Sequence, residues 1–142
     1  MTERYLFRGK QLRSGEWLFG DLNHLSGTYI FPRNTDALDS TDRYEVDPDT
    51  LGQYTGLKDK NSKLIFECDI LLDEYDRTWS IIWARGCFML RLIHDPYPRD
   101  DDDYDTWPEL LSNFWSGYVE IIGNIHDNPE LLGKDGELIE SL

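Results

Sequence analysis

Trp79-Ser80-Ile81-Ile82-Trp83 and Phe88-Met89-Leu90-Arg91-Leu92-Ile93 flank Arg85-Gly86. Each apolar run is short for a helix, and a glycine-bearing link separates them, so the pair reads as two strands around a turn. The pattern continues upstream. Leu64-Ile65-Phe66 and Ile70-Leu71-Leu72 are further apolar runs, and Asp76-Arg77 fits a turn. Lys58-Asp59-Lys60-Asn61-Ser62-Lys63 is a hairpin tip in which Asn61 tolerates a positive φ. Leu51 to Leu57 is a strand running into that tip, and Tyr118 to Ile125 is the final strand.

The N-terminal part has the same character. Tyr5, Phe7 and Leu12 surround an expected turn at Gly9-Lys10, Trp17 and Phe19 follow Gly15, and Tyr29 and Phe31 follow Gly27. These are aromatic fragments of period two between glycines and polar residues. Arg33 to Asp49 is polar and acidic, with few apolar positions (Ala37, Leu38, Tyr44, Val46), and reads as a long loop. A second excursion runs from His94 to Gly117. Its first half is acidic and carries Pro96 and Pro98, whereas Pro108 to Trp115 suits a short helix with Pro108 in the first turn. Asn128 is placed to cap one more helical turn over Pro129 to Leu132. Residues 133–142 read as a frayed tail.

The expected fold is therefore all-β, with short antiparallel strands and one short helix near 108–115. Barrel-like closure is expected in the second half, because open strand edges invite aggregation. The strands form a single domain over 1–132, divisible into subdomains of about 1–57 and 58–132.

Composition narrows the function classes. The chain has 142 residues, 39% hydrophobic and 13% aromatic, enough for a core and too aromatic for a disordered chain. Its net charge of −14 opposes approach to phosphate backbones and anionic lipid, so neither nucleic acid nor membrane is an expected partner. Solubility is the plain reading of that charge. The sharper one is a nucleic-acid mimic or a sink for a basic partner. No apolar run approaches the ~18–20 residues that span a bilayer. Met1-Thr2-Glu3-Arg4-Tyr5 lacks a signal-peptide core, and two cysteines, Cys68 and Cys87, make no disulfide framework. The expected location is the cytoplasm.

Three ordered blocks carry a family resemblance. The central one is Val46, then Thr50-Leu51-Gly52-Gln53-Tyr54-Thr55-Gly56-Leu57-Lys58-Asp59-Lys60-Asn61, then Ile65-Phe66-Glu67-Cys68-Asp69-Ile70. The last is Val119-Glu120-Ile121-Ile122-Gly123-Asn124-Ile125-His126-Asp127-Asn128-Pro129-Glu130-Leu131-Leu132, and the opening is Tyr5-Leu6-Phe7-Arg8-Gly9-Lys10. Together they resemble the YopX proteins of phages and prophages. The resemblance implies a bacterial host cytoplasm and no known activity. The family usually reads Glu-Gly-Asp where this chain has Glu67-Cys68-Asp69. If that glycine serves a positive φ, the turn here must differ.

No motif points to chemistry. Gly52-Gln53-Tyr54-Thr55-Gly56 has neither phosphate-loop nor dinucleotide spacing, and its glycines read as turn formers. Gln53, Tyr54 and Thr55 are polar residues of a turn-adjacent strand and the candidate partner-binding residues. Asp100-Asp101-Asp102-Asp103-Tyr104-Asp105 lacks the glycine and bidentate Glu of a calcium loop, and reads as solvated. His24, His94 and His126 have no second ligand at metal spacing, nor do Cys68 and Cys87 pair into a zinc or redox motif. Asp73-Glu74 are neighbours on a strand-like stretch and point to opposite faces, a poor geometry for acid–base work. No catalytic residue, metal or cofactor is expected.

Five Trp, eight Tyr and six Phe exceed the needs of a small barrel core, and aromatics are enriched in interface cores. The expectation is a non-enzymatic protein-interaction domain with a host or phage partner. A homo-oligomer would join the basic stretch Arg4, Arg8, Lys10, Arg13 to an acidic segment of a neighbour. The alternative is an acidic antagonist of a host nucleic-acid-binding enzyme, and a hydrolase or metal enzyme is a third class.

Overall fold

The computed structural model describes residues 5–33, 43–97, 109–110 and 117–132. The protein is mostly β, as the alternating pattern predicts, and the chain divides into two compact units, Met1–Gly56 and Leu57–Leu142.

The first unit contains β1 (Phe7–Lys10), β2 (Trp17–Asn23), β3 (Tyr29–Pro32), β4 (Tyr44–Glu45) and most of β5 (Gly52–Lys58). Their order in the sheet is β4-β3-β2-β1-β5. The printed registers are antiparallel, with Phe7 opposite both Gly20 and Gln53. Among the described residues of this unit, Leu6, Ile30, Val46 and Tyr54 are the buried hydrophobic side chains. Gly9-Lys10 is not the turn the sequence led us to expect. Both residues lie inside β1, and the chain reverses after Gln11 instead, where Gly15 takes φ +73°. Gly9 is needed for close approach: a Cβ there would sit 3.0 Å from Val46 Cβ and 3.4 Å from Ile30 Cδ1. The stretch expected to be one long loop also has order at its end. Gln11 bridges Val46, Tyr44–Glu45 pair with Tyr29–Ile30, and Pro48–Thr50 form a 3-10 turn started by Asp47. Residues 34–42 lie outside the described residues.

The second unit is built from β6 (Leu64–Phe66), β7 (Asp69–Leu72), β8 (Thr78–Ala84), β9 (Cys87–His94), β10 (Glu109–Leu110) and β11 (Glu120–Asn124). Five of these form an antiparallel sheet in the order β10-β9-β8-β7-β11. Arg85 and Gly86, at φ +56° and +81°, make the two-residue link between β8 and β9, the geometry that matches strand twist. The sheet does not close into the expected barrel: β10 and β11 remain its edges. The physical reason is visible on β7, which is buried on both faces. Leu71 joins Ile65, Trp79, Ile81, Leu90 and Val119 in one cluster, while Ile70 packs with Ile93 and Leu132. These two clusters cover β7 on both faces without any pairing between β10 and β11, so the core is closed by layering rather than by a ring of strands. The short helix expected near 108–115 is also corrected in part, because Glu109 and Leu110 pair with Leu90 and Met89 as strand. The rest of that segment, with Trp107, Trp115, the run Asp100–Asp105 and the tail 133–142, lies outside the described residues.

Candidate functional site

Two hairpin loops of the second unit share one construction. In the first, Asp59 Oδ1 accepts hydrogen bonds from the backbone N–H of Asn61 (2.8 Å) and Lys63 (2.9 Å), and Asp59 N donates to Lys63 O (2.8 Å). In the second, Asp73 Oδ1 accepts from Tyr75 N (2.8 Å) and Arg77 N (2.9 Å), and Asp73 N donates to Arg77 O (3.0 Å). Three residues after each aspartate the backbone turns left-handed, at Ser62 (φ +65°) and Asp76 (φ +64°). Ser62, not the expected Asn61, therefore carries the positive φ of the hairpin tip. Both aspartates are buried, at 5% exposure each, because their carboxylates are filled with donors.

The second oxygens differ. Asp59 Oδ2 accepts from Ile121 N (3.0 Å), and Lys60 N donates to Val119 O (2.9 Å), which fixes the chain just before and within β11. Asp73 Oδ2 accepts from Arg77 Nε (2.7 Å) and from Trp79 Nε1 (3.0 Å). Arg77 is thus clamped, with its guanidinium carbon 5.3 Å from the Tyr75 ring centre and 5.2 Å from that of Trp79.

This clamped loop forms one wall of a depression of about 280 Å³ lined by Tyr75, Arg77, Asp95 and Tyr97. Strand register assembles it. Thr78 pairs with His94, so the residues just outside the two strands, Arg77 and Asp95, come side by side. Asp95 Oδ1 accepts from Tyr97 N (2.9 Å) and sets the turn that presents Tyr97. The tyrosines are conspicuously bare, with Tyr75 62% and Tyr97 74% exposed. Such a surface has two aromatic rings, a rigid arginine and no nucleophile–base pair among its lining residues. Its described lining offers flat aromatic faces and hydrogen-bonding groups within reach of one another. A second depression of about 360 Å³, in the first unit, is lined by Gln11, Leu12, Arg13, Arg43, Tyr44 and Glu45. Within that lining, the Arg43 guanidinium carbon lies 4.4 Å from the Tyr29 ring centre.

The sequence-derived candidates lie elsewhere. Tyr54 is a core residue at 5% exposure whose N–H donates to Leu6 O (2.9 Å). Gln53 and Thr55 are half-buried neighbours on β5, with Gln53 opposite Phe7. None of the three lines the Tyr75–Tyr97 depression. His24 and His94 are exposed and His126 is half-buried. Among the described residues no three His, Cys, Asp or Glu side chains gather as a metal cluster. Arg91, on β9, has its pKa pushed down by desolvation on burial. The depression was missed because Tyr75 and Tyr97 stand in separate turns. The available signal was Asp73 opening a turn that ends in Asp76-Arg77, with an aromatic in the middle.

Two of the resembling blocks have clear structural roles. At the C-terminal block, Asn124 Oδ1 accepts from His126 N (3.0 Å) and Asp127 N (2.9 Å), and Asn128 Oδ1 accepts from Asn124 N (3.2 Å). The expected helical turn forms as a 3-10 turn over Pro129–Leu132, with the Asn128 carbonyl accepting from Leu131 N (3.0 Å) at its start, while the Asn128 side chain reaches back to β11. Gly123 makes room for it, since a Cβ would fall 2.7 Å from Asn128 Cγ. At the central block, Cys68 sits at φ +74° in the link between β6 and β7. The turn is therefore not remodelled to suit a side chain: the cysteine occupies the left-handed conformation a glycine would take. Its N–H donates to Ile81 O (2.9 Å) and its carbonyl accepts from Ile125 N (3.0 Å), while Asp69 Oδ2 accepts from Phe66 N (2.7 Å).

No match was found among curated proteins. A solved structure, protein EF1440 from Enterococcus faecalis, is similar at a TM-score of 0.49 and 24% identity, over 89% of this chain and 96% of that one. Residues 6–133 match the family model described as YopX protein, nearly the whole chain, and the protein belongs to the YopX family.

Proposed function

We propose that this chain is a phage- or prophage-encoded, non-enzymatic protein-interaction domain that acts in the bacterial cytoplasm. Family membership supports the phage origin. One observation carries the interaction reading: Tyr75 and Tyr97, 62% and 74% exposed, flank a depression whose wall is held rigid by Asp73. Tyrosine and arginine are the side chains that anchor protein interfaces, and a pre-set wall lowers the ordering cost of binding. The partner is a host or phage protein that seats a side chain between the tyrosines.

The test is affinity capture from a bacterial lysate with the parent chain and with the Tyr75→Ala/Tyr97→Ala variant, identified by mass spectrometry. Both side chains are exposed, so the variant keeps its fold. A protein captured by the parent and lost by the variant is the expected result. An identical capture profile for the two would refute the reading.

A further inference from the structure

Resting on that interaction reading, we infer that the Tyr75–Tyr97 depression receives a cationic side chain, the guanidinium or ammonium group of a basic protein segment. Tyrosine rings accept cations on their faces. The protein already displays this contact, since the Arg77 guanidinium lies 5.3 Å from the Tyr75 ring centre. Each ring has a second face, and these two rings are largely bare.

Charge selects between a cationic and an anionic guest. Arg77 is in the wall, yet its charge is already matched by Asp73, 2.7 Å away, whose side chain is 2% exposed. Glu74 and Asp76 stand on the same loop and Asp95 on the opposite rim. An acidic guest would meet these carboxylates, and Arg77, the arginine among the described lining residues, is engaged by Asp73. A basic guest gains a ring face from each tyrosine and the field of the surrounding carboxylates. The whole chain, at −14, draws a basic segment toward it and repels an acidic one.

At about 280 Å³ the depression lies at the lower bound for ligand sites, about 300 Å³, and has room for one extended side chain. The rings do the sorting at close range, and the acids set the long-range field. Swapping a ring for an aliphatic side chain removes the first without touching the second.

The experiment is fluorescence anisotropy at physiological salt with a labelled arginine-rich peptide and a glutamate-rich peptide of equal length. Three proteins are compared: the parent, Tyr75→Phe/Tyr97→Phe, and Tyr75→Leu/Tyr97→Leu. The arginine peptide is expected to bind the parent and the Phe pair alike. The Leu pair is expected to bind about 25-fold more weakly, two exposed cation–π contacts at about fivefold each. The glutamate peptide is expected not to bind. A Leu pair that holds the arginine peptide as tightly as the parent overturns the inference, because acids elsewhere then hold it. If that happens while lysate capture still depends on the two tyrosines, the interaction reading stands without its cation. If neither depends on them, both fall.

Discussion

Replacing Cys68 by glycine is expected to stabilise the protein. A side chain in the left-handed region costs about 1–2 kcal/mol, and Cys68, at φ +74°, carries that cost. The conformation cannot relax cheaply. Its N–H and carbonyl are both engaged, to Ile81 at 2.9 Å and from Ile125 at 3.0 Å, so a change in φ would pull on both partners. Glycine removes the strain but adds about 0.4–1 kcal/mol of unfolded-chain entropy to be lost on folding. Alanine keeps the strain and also lacks the sulfur, so it is the proper reference. The expected gap is Gly above Ala by about 0.5–1 kcal/mol, or about 2–4 °C in Tm. Thermal unfolding and urea titration of the parent, Cys68→Ala and Cys68→Gly measure it. A glycine variant no more stable than the alanine variant would refute the account.

Other consequences are as direct. Asp73→Ala strips the partner from Tyr75 N, Arg77 N, Arg77 Nε and Trp79 Nε1, and is expected to cost about 3–4 kcal/mol by urea denaturation. Asp59→Ala leaves Asn61, Lys63 and Ile121 N–H groups without acceptors and is expected to cost about 2–3 kcal/mol, with faster amide exchange at Ile121. Gly123→Ala drives a Cβ into the Asn128 amide and is expected to lose about 1–3 kcal/mol, partly restored by Asn128→Ser. A duplex DNA fragment is expected to show no mobility shift with micromolar protein at physiological salt, given the −14 charge; a salt-sensitive shift would contradict that.

The strands were legible because their information is local. Alternation and flanking turn residues set off Trp79–Trp83 and Phe88–Ile93, and Arg85-Gly86 set the link. Gly9 misled because its signal has two causes. Glycine marks turns, but it also permits close packing, and only the presence of Val46 across the strand decides which. The barrel failed for a similar reason. Nothing in Ile70-Leu71 says that each faces a separate cluster until Leu132 and Val119 are in place. The aspartate loops were half legible: both turns were visible, but which residue goes left-handed depends on where the carboxylate finds its donors. Tyr75 and Tyr97 meet only through the pairing of Thr78 with His94. Sequence alone carries the two turns but not their adjacency.

The Asp59–Ile121 hydrogen bond spans 62 residues, whereas β7, β8 and β9 are joined by links of a few residues. Closing a long loop costs entropy before any contact rewards it, so near neighbours pair first. Loop-closure cost therefore favours assembly in two stages, an order that pulse-labelled amide exchange would test by the late protection of β11. In that order a three-strand meander forms from its own turns, with Arg85-Gly86 as its tightest corner and the Asp73 loop as the other. β11 then arrives as a late addition, and the Asp59 carboxylate is waiting to catch it. Until it does, the outer edge of β7 is bare, and this is the interval in which a nascent chain is open to pairing with a stranger. The aspartate at the hairpin tip thus acts as a timing device: it shortens the life of that exposed edge.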